Sequence, residues 1–481
     1  MPLMKSIPNV LSTSVNRMIK GKPRPTWNYK FHVGFNLFKS MLTATFDKPI
    51  EEVQLISNST KISPPPGITI KEDLELSDNY RAIAQIHLEK FLDKYDDVLD
   101  SKWKYTNGQE LIGEWVCYND LPKKHPVVLF LHGGYFCMGG TKMIRSFAIE
   151  IAKICKAEVF GVDYRLSPQH QFPAALCDAI AAYLYLISPS EDAGFEPIDP
   201  KRIVIMGESA GGGLAIAMTL FLRDAGLPLP CGIVGWSPWV DLTHSMPSSL
   251  DPNLISLDLL CPMVMYRPKP RVSSPAWDQY QKDSQKLADE IKEKKPSIIG
   301  DESFQRDEQI QMYCNNEALA IPYVSPLLAE SLGNMPPMLL QVGEVERMHD
   351  EVVLFGYKAT QPQKFRVPQY STSYFDESPF QKPTSIILEV YDDMPHGWQR
   401  FPSAEQAQIS FHRTCNFIKY VSLVENDQTT EKSLFKGVRI NSKGEERLLE
   451  QYDLDVLKWD KVGIVPDITD YTNVKFDINN F

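Results

Sequence analysis

Ser209 lies between two glycines in the segment Gly207–Gly211, at the point where a strand-like apolar pattern ends and a helical pattern begins. The residues before it, 203–206, are apolar and mostly β-branched, as in a buried strand, and residues 210–225 have the composition of a helix. A serine at such a turn is held in strained backbone geometry, and glycines two positions away avoid a clash with it. Gly-x-Ser-x-Gly also occurs by chance in loops, so the flanking strand and helix support the interpretation. Ser209 is therefore a candidate nucleophile.

A serine hydroxyl needs a base at neutral pH, and His396 is the best candidate. It follows an apolar run, 385–391, that predicts a buried strand, and it lies beside Gly397. His396 would take the proton from Ser209 and return it to the leaving alkoxide. His132 belongs to a glycine-rich segment, where structural hydrogen bonding is the expected role. The remaining weak candidates read as surface or core residues: His32, His87, His125 and His412.

An orienting carboxylate should follow another strand, and the apolar run 336–342 is followed by an acidic segment. The candidates there are Glu344, Glu346, Asp350 and Glu351, of which at least two are expected to be surface charges.

A glycine-rich segment, 132–140, directly follows the continuous apolar run 126–131. Such a loop lets backbone N–H groups face a ligand. A phosphate loop would end in Lys-Ser/Thr, and that ending is absent here.

The composition excludes several classes of function. The chain of 481 residues has a net charge of −11, which gives no electrostatic basis for nucleic-acid binding. We find neither a signal peptide nor an apolar run of 18 residues. The eight cysteines show neither a CxxC pair nor metal-ligand spacing, and Cys137, Cys155, Cys177 and Cys231 fall in or near apolar segments. We therefore expect the cysteines to be buried free thiols in a reducing compartment.

The order of patterns predicts strands alternating with helices, hence a mostly parallel sheet covered on both faces. We expect residues 1–98 to form a cap of helices outside this sheet, in which the amphipathic stretch 31–46 packs on the body or contacts lipid. Two polar insertions are expected at about 267–315 and 360–384. The tail from about residue 424 is acidic and aromatic, and the sequence predicts no role for it.

The chain resembles the hormone-sensitive-lipase-type branch of the α/β-hydrolases, which includes arylacetamide deacetylases and fungal steryl acetyl hydrolases. The resemblance spans about residues 126–400, and the termini and both insertions fall outside it. Four blocks carry it: His132-Gly133-Gly134 with Gly139-Gly140; Asp163–Pro168 through Phe172–Ala175; Gly207–Gly212; and Pro395–Trp398. It implies an α/β-hydrolase fold for the catalytic domain, which we expect at 99–422. The helical cap expected from the residue pattern (1–98) precedes this domain, and a C-terminal extension (423–481) follows it.

The resemblance also implies roles for individual residues. The acid usually stands four positions ahead of an Asp-Asp or Asp-Glu pair, here Asp350-Glu351, so it falls on Glu346, with Asp350 in reserve. The family mostly has Asp at that position. The oxyanion hole would use the N–H groups of Gly133, Gly134 and Ala210, with Tyr135 as a further candidate. Tyr135 stands where the family often has a third glycine, and its ring would narrow the pocket.

The expected function is hydrolysis of a lipophilic, short-acyl (acetyl-type) carboxylic ester through an acyl-enzyme on Ser209, without metal or organic cofactor. An acyltransferase, which shares the acyl-enzyme, and a non-catalytic small-molecule receptor on the same fold are the alternatives. The presence of His396 together with Ser209 and an acid argues against the receptor. We expect a cytoplasmic protein with a small-molecule ester as its partner and with peripheral lipid contact through residues 27–46 as an option. Its oligomeric state is not predicted.

Overall fold

In the computed structural model the chain is described over residues 2–104, 109–260, 272–294, 309–362, 364–365, 378–423, 435–450 and 454–466, with side chains from residue 10 onward. Within these ranges the strands are β1 Ile68–Leu76, β2 Leu111–Tyr118, β3 Val127–Leu131, β4 Glu158–Asp163, β5 Ile203–Glu208, β6 Gly232–Trp236, β7 Met338–Gly343, β8 Ile386–Tyr391, β9 Phe435–Ile440 and β10 Glu446–Leu448. They form one sheet in the order β1-β2-β4-β3-β5-β6-β7-β8-β9-β10. The strands from β4 to β9 in this order are parallel, and β1, β2 and β10 are antiparallel to their neighbours.

The α-helices lie before the sheet, between its strands and after β8. They are α1 Pro2–Lys20, α2 Tyr29–Thr45, α3 Ile50–Ser57, α4 Asp78–Leu92, α5 Thr141–Cys155, α6 Ala174–Ile187, α7 Ala210–Asp224, α8 Pro247–Leu250, α9 Leu254–Leu257, α10 Pro275–Lys294, α11 His349–Thr360 and α12 Glu405–Leu423. Because parallel strands need crossover connections, helices cover both faces of the sheet. The predicted α/β-hydrolase-type architecture, a mostly parallel sheet flanked by helices, is confirmed.

Alternate residues of the central strands enter two separate cores. In β3, Val127, Leu129 and Leu131 pack with α4, α6, α7 and α11, whereas Val128 and Phe130 pack with α5 and α12. This two-residue period explains why the run is apolar without interruption, because both of its faces are buried. Both faces of the central strands are thereby packed, and the loops of the candidate site begin at the ends of these strands.

The N-terminal region is not purely a helical cap outside the sheet, as the sequence suggested. Ile68–Leu76 forms the edge strand β1, which pairs antiparallel with β2. Helix α2 behaves as expected for packing on the body, because Phe31 and Phe35 are buried against Phe401. The prediction missed β1 because most of its side chains are polar and do not form the apolar pattern of a buried strand. An edge strand can be polar because it packs against few neighbours.

The C-terminal tail, for which the sequence indicated no role, extends the sheet. Strand β9 pairs parallel with β8, and Arg439 of β9 forms ion pairs with Glu344 (2.6 Å) and Asp392 (2.8 Å). The sheet therefore continues beyond the predicted domain limit at residue 422.

The prediction of free thiols was wrong for two of the cysteines. Cys155 at the end of α5 and Cys415 of α12 form a disulfide, with Cα atoms 5.1 Å apart. Cys117, Cys137, Cys177, Cys231 and Cys314 are free. Because the bonded pair is 260 residues apart in sequence, its spacing gave no signal.

The two predicted insertions fall partly outside the described residues. The described part of the first contains α10, and residues 261–271 and 295–308 lie outside. Most of the second, residue 363 and residues 366–377, also lies outside. Among the helices of the described ranges, none is both long and apolar enough to cross a bilayer.

Candidate active site

The predicted catalytic residues all lie just after the carboxyl ends of parallel strands, so they meet at one edge of the sheet. The glycine loop follows β3, Ser209 follows β5, Glu346 lies three residues after β7 and His396 five residues after β8. These strands belong to one parallel series, with β6 between β5 and β7. In open α/β sheets this edge is where ligands bind.

Ser209 occupies a strained turn between β5 and α7. Its backbone has φ 56° and ψ −124°, a conformation that L-residues rarely adopt. Its N–H donates to the carbonyl oxygen of Trp236 at 2.8 Å, and its side chain is almost fully buried. A Cβ on Gly207 would collide with the Gly211 carbonyl, so this turn requires glycine at 207. The expected strand–turn–helix geometry is present.

His396 and Glu346 face each other in a buried position. Nδ1 of His396 lies 3.6 Å from Oε2 of Glu346, and the Ser237 hydroxyl donates to the same carboxylate oxygen at 2.8 Å. Burial raises the pKa of Glu346, opposed by the nearby imidazole. Burial alone would lower the pKa of His396, but the carboxylates of Glu346, Asp258 and Glu208 outweigh it and raise that pKa.

The other three acids of the predicted group have different contacts. Asp350 accepts from the N–H of Ser248 at 2.7 Å and lies 2.8 Å from Nδ1 of His349. Glu344 pairs with Arg439, and Glu351 accepts from the N–H of Val240 at 2.8 Å. Of the four, Glu346 is the carboxylate that the structure brings to His396.

Asp258 links the segment of Glu346 to the segment of His396, a role that sequence reasoning missed. It is fully buried, and its two oxygens accept from the N–H of His396 at 3.0 Å and from the N–H of Arg347 at 2.8 Å. One carboxylate thus fixes the backbone beside both members of the acid–base pair. Asp258 lies in a segment without a strand or motif, so its role becomes visible only in three dimensions.

A second link joins the turn at Ser209 to the loop that carries His396. We call this loop, residues 392–397, the histidine loop. Glu208, directly before Ser209, is buried and accepts from Arg400. The opposite oxygen of Glu208 faces the histidine loop, since a Cβ on Gly397 would lie 3.4 Å from its Oε1. The guanidinium of Arg400 also lies over the Phe147 ring at 5.0 Å. Glu208 therefore connects the neighbours of Ser209 and His396.

The glycine loop runs directly past the serine. A Cβ on Gly133 would lie 2.8 Å from the Glu208 carbonyl oxygen and 3.2 Å from Cβ of Ser209. Gly134 has φ 112° and Tyr135 φ 55°, so the chain turns sharply here. His132 is buried, and its Nδ1 lies 2.7 Å from the carbonyl oxygen of Gly133. Burial lowers the pKa of His132, which agrees with the structural role expected for it.

Helix α3 supports the glycine loop from the N-terminal side. Gly139 donates its N–H to the Ser57 hydroxyl at 2.8 Å. The Asn58 side chain accepts from the N–H of Lys142 and donates to Asp163, both at 3.0 Å. The sequence Asn58-Ser59-Thr60 matches a glycosylation acceptor, but in the folded chain this amide is engaged in the loop.

Aromatic side chains gather around Tyr135. Its ring lies 6.3 Å from those of Phe46 and Trp239, measured between centroids. The adjacent Phe136 stacks on Tyr313 at 3.8 Å. The backbone N–H of Trp239 donates to the Ser209 carbonyl oxygen at 3.0 Å, so these aromatic side chains adjoin the nucleophile turn.

Comparisons with known proteins agree with this architecture. A family described by its alpha/beta hydrolase fold matches residues 128–289. An acetyl-hydrolase of Streptomyces hygroscopicus is 40% identical over 115 residues, which is 24% of this chain and 36% of that protein. Human arylacetamide deacetylase-like 2 is 34% identical over 145 residues, 26% of this chain and 36% of that protein.

The chain thus spans about a third of the length of these two relatives. A crystal structure of an esterase/lipase from an uncultured bacterium aligns with 80% of this chain and 99% of its own, with a TM-score of 0.51 and 22% identity. That likeness shows the fold. Residues 128–289 therefore match an α/β-hydrolase family, and parts of the chain are similar to an acetyl-hydrolase and to an arylacetamide deacetylase-like protein.

Proposed function

We propose that the protein is a serine carboxylic-ester hydrolase in which Ser209 is the nucleophile, His396 the general base and Glu346 the orienting acid. The observation that carries this proposal is the buried Glu346–His396 pair at the same sheet edge as the strained Ser209 turn. A serine in that turn, a histidine and a buried carboxylate form the set needed for nucleophilic acyl transfer.

In the proposed cycle, His396 removes the proton from Ser209 as its oxygen attacks the ester carbonyl. The N–H groups of Gly133, Gly134 and Ala210 stabilise the oxyanion, and each donor contributes roughly 3 kcal/mol to the transition state. Ala210 is the first residue of α7, where helical N–H groups have no intrahelical partner. His396 then protonates the leaving alkoxide and afterwards activates the water that releases the acid.

The proposed substrate is a lipophilic small-molecule ester with a short acyl group. The aromatic wall formed by Tyr135, Trp239 and Phe46 favours an apolar ligand next to the nucleophile. We propose that the ring of Tyr135 narrows the acyl pocket, so we expect short acyl chains. The name of the acetyl-hydrolase relative agrees with this expectation.

The test is hydrolysis of p-nitrophenyl acetate, butyrate and octanoate by the wild type and Ser209→Ala. We expect acetate or butyrate to be turned over fastest and turnover to be lost in the variant. Tyr135→Gly should raise the rate with octanoate relative to acetate if the ring limits the acyl pocket. Folded wild-type protein without turnover of any of the three esters would contradict the proposal. Product analysis with added alcohol distinguishes transfer of the acyl group from hydrolysis.

A further inference from the structure

Helix α1 packs against α2 along one of its faces. Thr13 accepts from Nδ2 of Asn36 at 3.1 Å. One turn later, Nη1 of Arg17 lies 3.2 Å from Nδ1 of His32, and its Nη2 donates to the carbonyl oxygen of Trp27 at 2.9 Å. The two helices therefore form a hairpin whose inner face is polar.

The opposite face of α1 is apolar and exposed. Leu11, Val15, Met18 and Ile19 have exposed fractions of 60%, 52%, 85% and 75%. Their spacing of four, three and one residues places them in one stripe of the helix. We call these four residues the α1 apolar face. Tyr29 at the start of α2 is half exposed and lies beside this face. Its hydroxyl forms a hydrogen bond of 2.8 Å with the hydroxyl of Ser14.

The segment that carries the α1 apolar face is basic. The first 46 residues contain seven Lys or Arg and no Asp or Glu, in a chain whose net charge is −11. Arg24 forms an ion pair with Asp393 at 3.4 Å, and Lys39 donates to the carbonyl oxygen of Ile255 at 2.5 Å. These two cations therefore have partners within the protein. The side chains of Lys20, Lys22 and Lys30 are exposed around the turn between α1 and α2.

We propose that the α1 apolar face docks on the surface of an anionic lipid bilayer, with α1 lying in the interface. An exposed apolar stripe with lysines and a tyrosine at its edge has the chemistry that this surface binds. The lysines would meet the negative headgroups while the four apolar side chains enter the acyl boundary. The proposal concerns binding and holds independently of the proposed hydrolase activity.

The α1 apolar face lies outside the stretch 27–46 considered for lipid contact, although Tyr29 and Lys30 at the start of that stretch border it. In that stretch Trp27, Phe31 and Phe35 are buried on the body. The hairpin is attached to the segment of His396, because Nε1 of Trp27 donates to the carbonyl oxygen of Asp393 at 2.8 Å. A bilayer bound by α1 would therefore lie on the side of the molecule that carries the histidine loop.

The experiment is sedimentation of the full chain with vesicles of phosphatidylcholine alone and of phosphatidylcholine with phosphatidylserine, in about a 2:1 ratio. The first variant replaces the α1 apolar face with glutamine, which keeps helix propensity (Leu11→Gln, Val15→Gln, Met18→Gln, Ile19→Gln). Its control is Ile83→Gln/Ile86→Gln on α4, where both isoleucines are exposed. The second variant is Lys20→Glu/Lys22→Glu/Lys30→Glu, and its control is Lys123→Glu/Lys201→Glu/Lys443→Glu at exposed sites.

We expect the wild type to bind the anionic vesicles in a salt-sensitive manner, and each α1-hairpin variant to lose about tenfold or more in partitioning. Both controls should bind like the wild type, with unchanged circular dichroism in all variants. Equal binding by the glutamine variant, or absence of wild-type binding at low salt, would overturn the proposal. A dimer of the 54.7-kDa chain that only the glutamine variant dissociates would also overturn it, since a second copy would then cover the face.

Discussion

Oε2 of Glu346 lies 3.6 Å from Nδ1 of His396 and also accepts the hydroxyl of Ser237. In the proposed mechanism His396 acts in its neutral form, and the three carboxylates near it raise its pKa. The rate should therefore fall as the pH decreases through a value above about 6.5, the ordinary pKa of histidine. A pH–rate profile of kcat/KM measures this limb directly, and a flat profile down to pH 4 would contradict the role of His396.

Glu346→Gln should move the acid limb to lower pH and reduce kcat. The substitution removes the carboxylate charge that raises the pKa of His396, so the imidazole stays neutral to lower pH. It also removes the group that orients the imidazole, for which a loss of about 10²–10⁴-fold in kcat is expected. Asp350→Asn is the matched control, because Asp350 bonds to Ser248 and His349 instead. A large loss in Asp350→Asn with little change in Glu346→Gln would reverse the assignment of the acid.

Asp258→Asn should lower both activity and thermal stability. An amide offers one oxygen, so one of the buried N–H groups of His396 and Arg347 loses its acceptor, at a cost of about 1–3 kcal/mol. Removal of the negative charge should also move the acid limb of the pH–rate profile to lower pH. The control is Asp120→Asn on the surface. A profile that coincides with that of the wild type would show that Asp258 does not influence His396.

Arg400→Gln should move the same limb to higher pH. Arg400 is the cation paired with Glu208, and without it the charge of that carboxylate acts more strongly on His396. The pKa of His396 would rise, so a larger fraction of the imidazole would be protonated at neutral pH. Arg400→Lys keeps a positive charge and should stay close to the wild type. If Arg400→Gln and Arg400→Lys gave the same profile as the wild type, the ion pair would have no part in tuning the base.

The Cys155–Cys415 disulfide should be detectable by counting thiols. Unfolded without reductant, the protein should show two fewer reactive thiols than after reduction. Reductant should lower the melting temperature of the wild type, since such a bond stabilises by about 2–4 kcal/mol, and should leave Cys155→Ser/Cys415→Ser unaffected. Equal thiol counts before and after reduction would contradict the bond and return all cysteines to the free state that the sequence suggested.

The features that the sequence predicted are those determined by short segments. The Ser209 turn, the glycine loop and the His396 loop each follow an apolar strand, so their identity and their common edge follow from local pattern and parallel pairing. The choice between Glu346 and Asp350 rested on the family resemblance, and the contact with His396 now supports Glu346.

The features that sequence reasoning missed depend on contacts between distant segments. Asp258 acts on His396, which is 138 residues away, and Glu208 meets Arg400 across 192 residues. Strand β1 is mostly polar because it lies at an edge, and β9 forms only in combination with β8. Non-local pairing of this kind leaves no periodicity in the sequence.

The central claim is that Ser209 forms the acyl-enzyme, and intact-protein mass spectrometry with an organophosphate ester tests it most directly. We expect one adduct per chain, located on the peptide that contains Ser209, absent in Ser209→Ala and formed far more slowly in His396→Ala. An active, folded protein that carries the adduct on another residue, or none at all, would contradict the account.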